Sequence, residues 1–231
     1  MATTYPSPWH AHALQRLASG PAEPLTPPAR MEWTPHRAHG PGAELLGTEL
    51  RGRRVLELGC GPGHNAAHLA HRTGARVTGI DLVGLQVRRA RSHYGHVAGL
   101  SFTAAHALHY LQADQGPFDV IYSVFGAIGL VAPELLLPAT VGCLAGLGLL
   151  VFAVPHPRRH GRSPGPGTYP HRDFLALPDR SRLPLVRWEL APSAWARHLR
   201  RAGFTHVTSQ AIGNPGKGRW PTTLLITAYK L

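Results

Sequence analysis

The sequence predicts a doubly wound α/β fold: a mostly parallel, seven-stranded sheet with helices on both faces and its last strand antiparallel. Three observations predict it. Short apolar runs alternate with amphipathic stretches from residue 41 to about 154, the pattern of strand–helix–strand crossovers in one parallel sheet. The first run ends in a glycine-rich turn, Gly59-Cys60-Gly61-Pro62-Gly63, directly before a helical pattern. The second run ends in an acid, Asp81.

The elements follow in order. Apolar runs bounded by turn residues place strands at 54–58, 75–80, 100–103, 118–123 and 149–154. Helical spacing places helices at 64–73, 83–94 and 133–146 between them. Ser193 is the expected cap of a helix over 194–202, with Gly203 as its stop. Two final strands, 204–211 and 222–229, are joined by Gly213-Asn214-Pro215-Gly216, which permits an antiparallel pair. Upstream, a helix is expected over 10–18. Pro21, Pro24, Pro27 and Pro28 exclude a long one after it. The chain therefore divides into a cap segment, 1–40, and one domain, 41–231, with an irregular insert rich in Pro, Arg and His at about 155–187. No internal repeat is present.

With 231 residues, 43% of them hydrophobic, the chain is ordinary for one globular α/β domain. The longest apolar stretch, 142–154, is interrupted by glycines and ends at Pro155, so no membrane span is expected. The N-terminus lacks the basic and apolar regions of a signal peptide, and a cytoplasmic location is expected. Cys60 and Cys143 have no metal or disulfide spacing. The formal net charge of +12 invites a nucleic-acid reading. However, all basic residues except Lys217 and Lys230 are arginine, and they lie in scattered groups: Arg51, Arg53 and Arg54; Arg88, Arg89 and Arg91; Arg158, Arg159 and Arg162. With 26 Gly and 22 Pro, this bias points to a G+C-rich bacterial genome, and each group reads as a solvated face. No specific nucleic-acid partner is expected. The 16 histidines are dispersed, so no metal site is expected.

The glycine turn carries the chemistry. In an open parallel sheet, ligands bind beyond the carboxyl ends of the strands. Glycines there let the backbone turn sharply and approach a ligand, and a following helix presents free N–H groups. Glu57 stands in an apolar strand end, where an unpaired carboxylate is costly, so it requires a cationic or N–H partner. Asp81 follows the glycines at close to the ~20-residue offset at which an acid meets ribose hydroxyls. A nicotinamide-binding turn would place the third glycine one residue later, where this chain has His64.

Glu57-Leu58-Gly59-Cys60-Gly61-Pro62-Gly63 followed by Ile80-Asp81 resembles the class I S-adenosylmethionine-dependent methyltransferases. The resemblance spans roughly residues 31–230 and is strongest at 54–65 and 77–82. It implies S-adenosylmethionine as cofactor. It implies that Glu57, Gly59, Cys60, Gly61 and Gly63 face its methionine part, that Asp81 holds the ribose diol, and that Leu82 lies beside the adenine. After the third strand the family commonly has Asp-Ala. This chain has Ala105-His106-Ala107, in which a neutral imidazole nitrogen can accept the adenine amino group's hydrogen bond. Ser123 and Val124 match the segment backing the methionine, and Phe125 the start of the acceptor pocket. Gly146-Leu147-Gly148 replaces the family's Pro-Gly-Gly. Met31-Glu32-Trp33-Thr34 and Gly40-Pro41-Gly42 resemble the lead-in of small-molecule methyltransferases of actinobacterial type, which implies a lid that brings Trp33 to the cofactor and Tyr5 and Trp9 to the acceptor.

Methyl transfer from a sulfonium is an in-line displacement that needs alignment in a dry pocket, and a base only where the acceptor loses a proton. His156, directly after the fifth strand, is the first candidate base and His160 the second. Arg158 is a candidate acceptor anchor. The Asn/Asp-Pro-Pro-Tyr-type segment of nucleobase amino-methyltransferases is missing at Ser123-Val124-Phe125-Gly126. A small-molecule acceptor, methylated on O or N as in natural-product tailoring, is therefore the leading expectation. A fold that binds the cofactor without transferring methyl, as a binding module or cyclase, is the alternative, and nucleic-acid methylation is a minor one. Oligomeric state is open.

Overall fold

A computed structural model describes residues 7–19, 26–113, 116–161, 170–216 and 218–231. Seven strands form the main sheet: β1 (Arg54–Leu58), β2 (Arg76–Asp81), β3 (Leu100–Ala104), β4 (Phe118–Val124), β5 (Leu144–Pro155), β8 (Phe204–Ile212) and β9 (Thr223–Lys230). Their order is β3-β2-β1-β4-β5-β9-β8. β1 to β5 pair in parallel, and β9 is antiparallel to both its neighbours. The order reverses between β2-β1 and β4, the position at which this architecture opens a ligand crevice.

Strand periodicity sets the two faces. Along β5, Leu149, Val151 and Ala153 face one core and Leu150, Phe152 and Val154 the other. The first core is closed by the segment around Met31 and Trp33 and by helices α2 (His64–Thr73) and α3 (Gly84–Tyr94). The second is closed by α4 (Ala107–Gln112), α5 (Pro133–Cys143) and α6 (Pro192–Ala202). The expected doubly wound sheet is therefore present. Among the described residues, no helix is long and apolar enough to cross a membrane.

Several boundaries differ from expectation. α5 stops at Cys143 because Leu144 already pairs with Phe118. The register then jumps to Val120 opposite Leu149, so 145–148 loops out, with Leu147 at φ 61° and 77% exposed. α6 begins at Pro192, with no cap hydrogen bond from Ser193. Proline suits the first helical position, where its missing N–H costs nothing. α4 was too short to show a period.

The insert is not irregular throughout. β6 (His171–Ala176) and β7 (Arg182–Arg187) form an antiparallel hairpin. Pro184 concealed it, since proline argues against a strand. A two-stranded ribbon has only edges, where proline is tolerated. At its base, Arg159 pairs with Asp173 at 3.1 Å and Glu189 at 2.6 Å, and Arg187 with Asp173 at 2.9 Å. Its turn is tied to α1 (Pro8–Ser19): Gln15 Nε2 donates to Asp179 Oδ2 at 2.8 Å, and Asp179 N–H donates to Gln15 Oε1 at 3.3 Å.

Under the glycine turn lies one ring. A Cβ on Gly63 would stand 2.6 Å from Phe102 Cζ, and one on Gly79 would stand 2.8 Å from Phe102 Cδ1. Phe102 itself is 4% exposed.

Candidate functional site

The carboxyl ends of β1, β2, β3 and β4 open into one cavity of about 970 Å³. Gly59 (φ 82°) starts the turn, and its N–H and that of Cys60 both donate to Ile80 O at 2.8 Å. An added Cβ on Gly59 would lie 2.6 Å from Gly126 Cα, and one on Gly126 would overlap the Leu58 carbonyl oxygen. The two loops thus touch backbone to backbone, which fixes the turn against the end of β4. Ala127 N–H closes the contact on Leu58 O at 3.2 Å.

Asp81 organises the next part. Its Oδ2 accepts Gly61 N–H and its Oδ1 accepts Val83 N–H, both at 2.8 Å. Each oxygen keeps a further lone pair, and Asp81 lines the cavity. Burial raises its pKa, and these two N–H groups oppose the rise. Leu82, 58% exposed, projects beside it. Ala105 N–H donates to Asp81 O at 3.0 Å, which brings Ala105, His106 and Ala107 to the cavity wall. The His106 ring lies 4.8 Å from that of His109, tilted by 45°. Burial and that neighbour lower its pKa, so the neutral, hydrogen-bond-accepting form is favoured. Its Nδ1 is buried without a hydrogen-bond partner.

Glu57 is 3% exposed and lines the floor. Burial pushes its pKa up to about 8, against the Tyr122 phenol and the Ala66 N–H, which favour the anion. Its Oε2 is buried and without a hydrogen-bond partner. A cationic group in the cavity would relieve that cost.

Segment 28–37 forms another wall. Glu32 N–H donates to Asn65 Oδ1, and Asn65 Nδ2 donates to Glu32 O, both at 3.1 Å. His68 Nδ1 lies 2.8 Å from Pro28 O. The strap is thereby held on α2, and Arg30, Glu32 and Thr34 line the cavity. Trp9 and His12 of α1 and Leu185 and Val186 of β7 complete the enclosure, with Leu130 and Val131 after β4. Phe125 lines it at φ 50°, a sparsely populated conformation for a non-glycine residue that clusters at functional sites.

Of the residues expected at the site, Glu57, Gly59, Cys60, Gly61, Asp81, Leu82, Ala105, His106, Ala107, Val124, Phe125 and Trp9 line this cavity. Others do not. Trp33 is fully buried in the core, where its Nε1 donates to Gly42 O at 2.8 Å and its ring meets Tyr122 edge-on. Gly63 is covered by Phe102. Ser123 is fully buried, its hydroxyl donating to Leu58 O at 2.7 Å, so it ties β4 to β1. His156, His160 and Arg158 also lie off the cavity lining. The chain does not cross the mouth after β5: Pro155 still pairs with Thr223, and His156 N–H donates to Thr222 O at 3.0 Å. The His156 imidazole is then used by Arg158 N–H at 3.1 Å, and Arg159 is drawn to the charged cluster under the hairpin. Tyr5 and Arg162 lie outside the described residues.

Sequence reasoning missed His12, Arg30, Asn65, Leu185 and Val186. Asn65 had a signal as a polar opener of α2. The two β7 residues had none, given Pro184 between Leu183 and Leu185. Among the described residues, no group of three His, Cys, Asp or Glu is placed to hold a metal.

The geometry agrees with comparisons to known proteins. Residues 55–144 match the family described as Methyltransferase domain. No curated protein matches the chain in sequence. Among solved structures, an S-adenosylmethionine-dependent methyltransferase of Mesorhizobium loti is similar, with TM-score 0.58, 21% identity, and 81% of this chain and 95% of that one covered. The glycopeptide N-methyltransferase MtfA, complexed with S-adenosylhomocysteine, gives TM-score 0.60, 18% identity, and 82% and 86% coverage. The 1,6-didemethyltoxoflavin-N1-methyltransferase of Burkholderia thailandensis, with 1,6-didemethyltoxoflavin and S-adenosylhomocysteine bound, gives TM-score 0.54, 25% identity, and 78% and 72% coverage. Both of the last two structures hold S-adenosylhomocysteine, the demethylated form of S-adenosylmethionine. Fold and domain match together define the class: the chain has the class I methyltransferase fold, with a methyltransferase domain match over residues 55–144.

Proposed function

We propose that the chain methylates a small-molecule acceptor. The observation that carries this reading is the mixed lining of the cavity. Polar groups come from the glycine turn, Glu57 and Asp81. Apolar side chains come from Trp9, Phe125, Leu130, Val131, Leu185 and Val186. At about 970 Å³ the cavity reaches the top of the roughly 300–1,000 Å³ range of small-ligand sites, room for a cofactor and a compact acceptor together.

In this reading Glu57, Gly59, Cys60 and Gly61 hold the methionine part, with the cofactor's ammonium meeting the Glu57 carboxylate. Asp81 takes the ribose diol, and Leu82 with Ala105, His106 and Ala107 encloses the adenine. Val124 and Phe125 separate cofactor from acceptor, and Trp9 on α1 covers the acceptor, so the N-terminal segment acts as a lid. The bound small compound in the Burkholderia thailandensis relative supports a small acceptor.

Calorimetry is expected to show micromolar binding of S-adenosylmethionine and S-adenosylhomocysteine and no comparable binding of NAD, because the third glycine comes one residue early. Tight NAD binding without heat from the adenosyl compounds would overturn the assignment. Transfer of labelled methyl to members of a small-molecule library tests the reaction. Transfer only to a peptide would overturn the acceptor class. For Asp81→Ala, cofactor affinity is expected to fall about ten- to a hundredfold, since a charged hydrogen bond contributes roughly 1.5–3 kcal/mol. Unchanged affinity would mean the ribose is held elsewhere.

A further inference from the structure

We infer that His12 is the base that takes the acceptor's proton, and that the acceptor is a flat, hydroxylated aromatic compound of phenol type. The inference rests on the methyl-transfer reading and adds the residue and the substrate class.

Among the described residues, three histidines line the cavity: His12, His64 and His106. His106 stands on the adenine side, one residue after Ala105, whose N–H is held by Asp81 O. His64 opens α2 behind the glycine turn, its ring edge-on to Tyr94 at 5.9 Å. His12 alone comes from α1, outside the cofactor floor. It sits one helical turn from Trp9, and the two rings meet edge-on at 6.0 Å. α1 packs against α3 and against both strands of the hairpin, whose Leu185 and Val186 line the same cavity. An imidazole is thus set in the cavity wall that α1 and the hairpin build, beside Trp9.

The charges around it select the acceptor. The cations acting on His12 are Arg16 on its own helix and Arg89 on α3, while β7 brings only Leu185 and Val186 to the cavity. Burial first, then those two cations, lowers the His12 pKa, so the ring is neutral near pH 7 and free to accept a proton. The same positive field opposes the ammonium that forms when an amine nitrogen is methylated and favours a developing phenolate. Glu32, the acid of the strap, is already engaged with Ala38 N–H at 2.9 Å and with Arg30. Flat aromatic and branched aliphatic walls match a planar ring.

The step balances as follows. A lone pair of the phenolic oxygen forms the new O–C bond to the methyl group as the C–S bond breaks. The sulfur keeps the bonding pair and loses its positive charge, and the O–H proton passes to the His12 imidazole. The products are a methyl ether, S-adenosylhomocysteine and an imidazolium that returns its proton to solvent.

The test compares the wild type with His12→Gln on phenols of graded acidity and on matched anilines, with methyl ethers and methylamines measured by mass spectrometry. The wild type is expected to methylate the phenols and not the anilines. On weakly acidic phenols the variant should be slower by about a hundredfold or more. On nitrophenols already ionised at the assay pH, the gap should close to within severalfold. That dependence is read within one folded variant, and a merely structural histidine would not produce it. A gap independent of phenol acidity, no gap, or wild-type transfer to anilines alone would overturn the inference and leave the methyltransferase intact. Calorimetric loss of cofactor binding in the wild type would overturn the reading beneath it.

Discussion

Gly126→Ala is expected to lower the melting temperature by several degrees and to weaken cofactor binding, although residue 126 lies outside the glycine motif. Its new Cβ would overlap the Leu58 carbonyl oxygen and stand 2.9 Å from Ser123 Oγ. Backbone must move, and overpacking of this kind costs about 1–3 kcal/mol. In a chain of this size that corresponds to a drop of roughly 2–4 °C per kcal/mol. The motion would part the end of β1 from that of β4, so the turn at Gly59 would lose its support. Gly61→Ala provides the contrast. Nothing lies within 4 Å of its added Cβ, so the cost is the φ of +54°, about 1–2 kcal/mol. Its main effect should be on the ligand, whose space the methyl enters. Scanning calorimetry and cofactor titration on both variants check this. A Gly126→Ala protein that melts and binds like the wild type would show the two loops to be loosely coupled.

Cofactor affinity is expected to rise with pH between about 6 and 8 and then level off, through Glu57. Burial holds its pKa at about 8 in the free protein, so near neutrality the carboxyl is mostly protonated. An ammonium placed against it favours the anion, and binding therefore releases a proton below that pH. Calorimetry in buffers of differing ionisation enthalpy reads this release. Glu57→Gln should bind more weakly and lose both the release and the pH dependence. Stability moves the other way. The folded pKa is raised, so the folded state binds the extra proton: its contribution is full below the unfolded value of 4.5 and is lost as pH rises to about 8. Above that pH the ligand-free Glu57→Gln protein should melt higher than the wild type. A wild-type affinity flat across this range would place the ammonium elsewhere.

The parts of the site that were legible in the sequence are those in which one local pattern dictates one geometry. The turn at 59–63 needs glycines wherever it occurs, and Asp81 is fixed by strand length. The sheet was legible because β1, β2 and β4 are apolar runs closed by turn residues. What could not be read depends on contacts between distant segments. Trp33 resembles a lid residue, yet a tryptophan can bury its ring and satisfy its N–H on Gly42 O, and that buries more apolar area than a position at the mouth. Ser123 looks like a ligand-facing hydroxyl, but it lies under the Leu58 carbonyl. His156 was placed from its distance along the chain after β5. The partner that redirects it, Thr222, is on β9's approach, far along the sequence. The roles of Trp9 and of the β7 residues depend on where the two ends of the cavity wall meet, which no local pattern encodes.

The phenyl ring under the turn ties three positions into a single inheritance. Gly63 and Gly79 both stand over Phe102, so a lineage that enlarges residue 79 must first shrink residue 102. Gly63 gains nothing from that exchange, because its φ of +85° disfavours a side chain whatever space is opened. Positions 79 and 102 should therefore drift as a pair, one growing as the other recedes, while position 63 stays still between them.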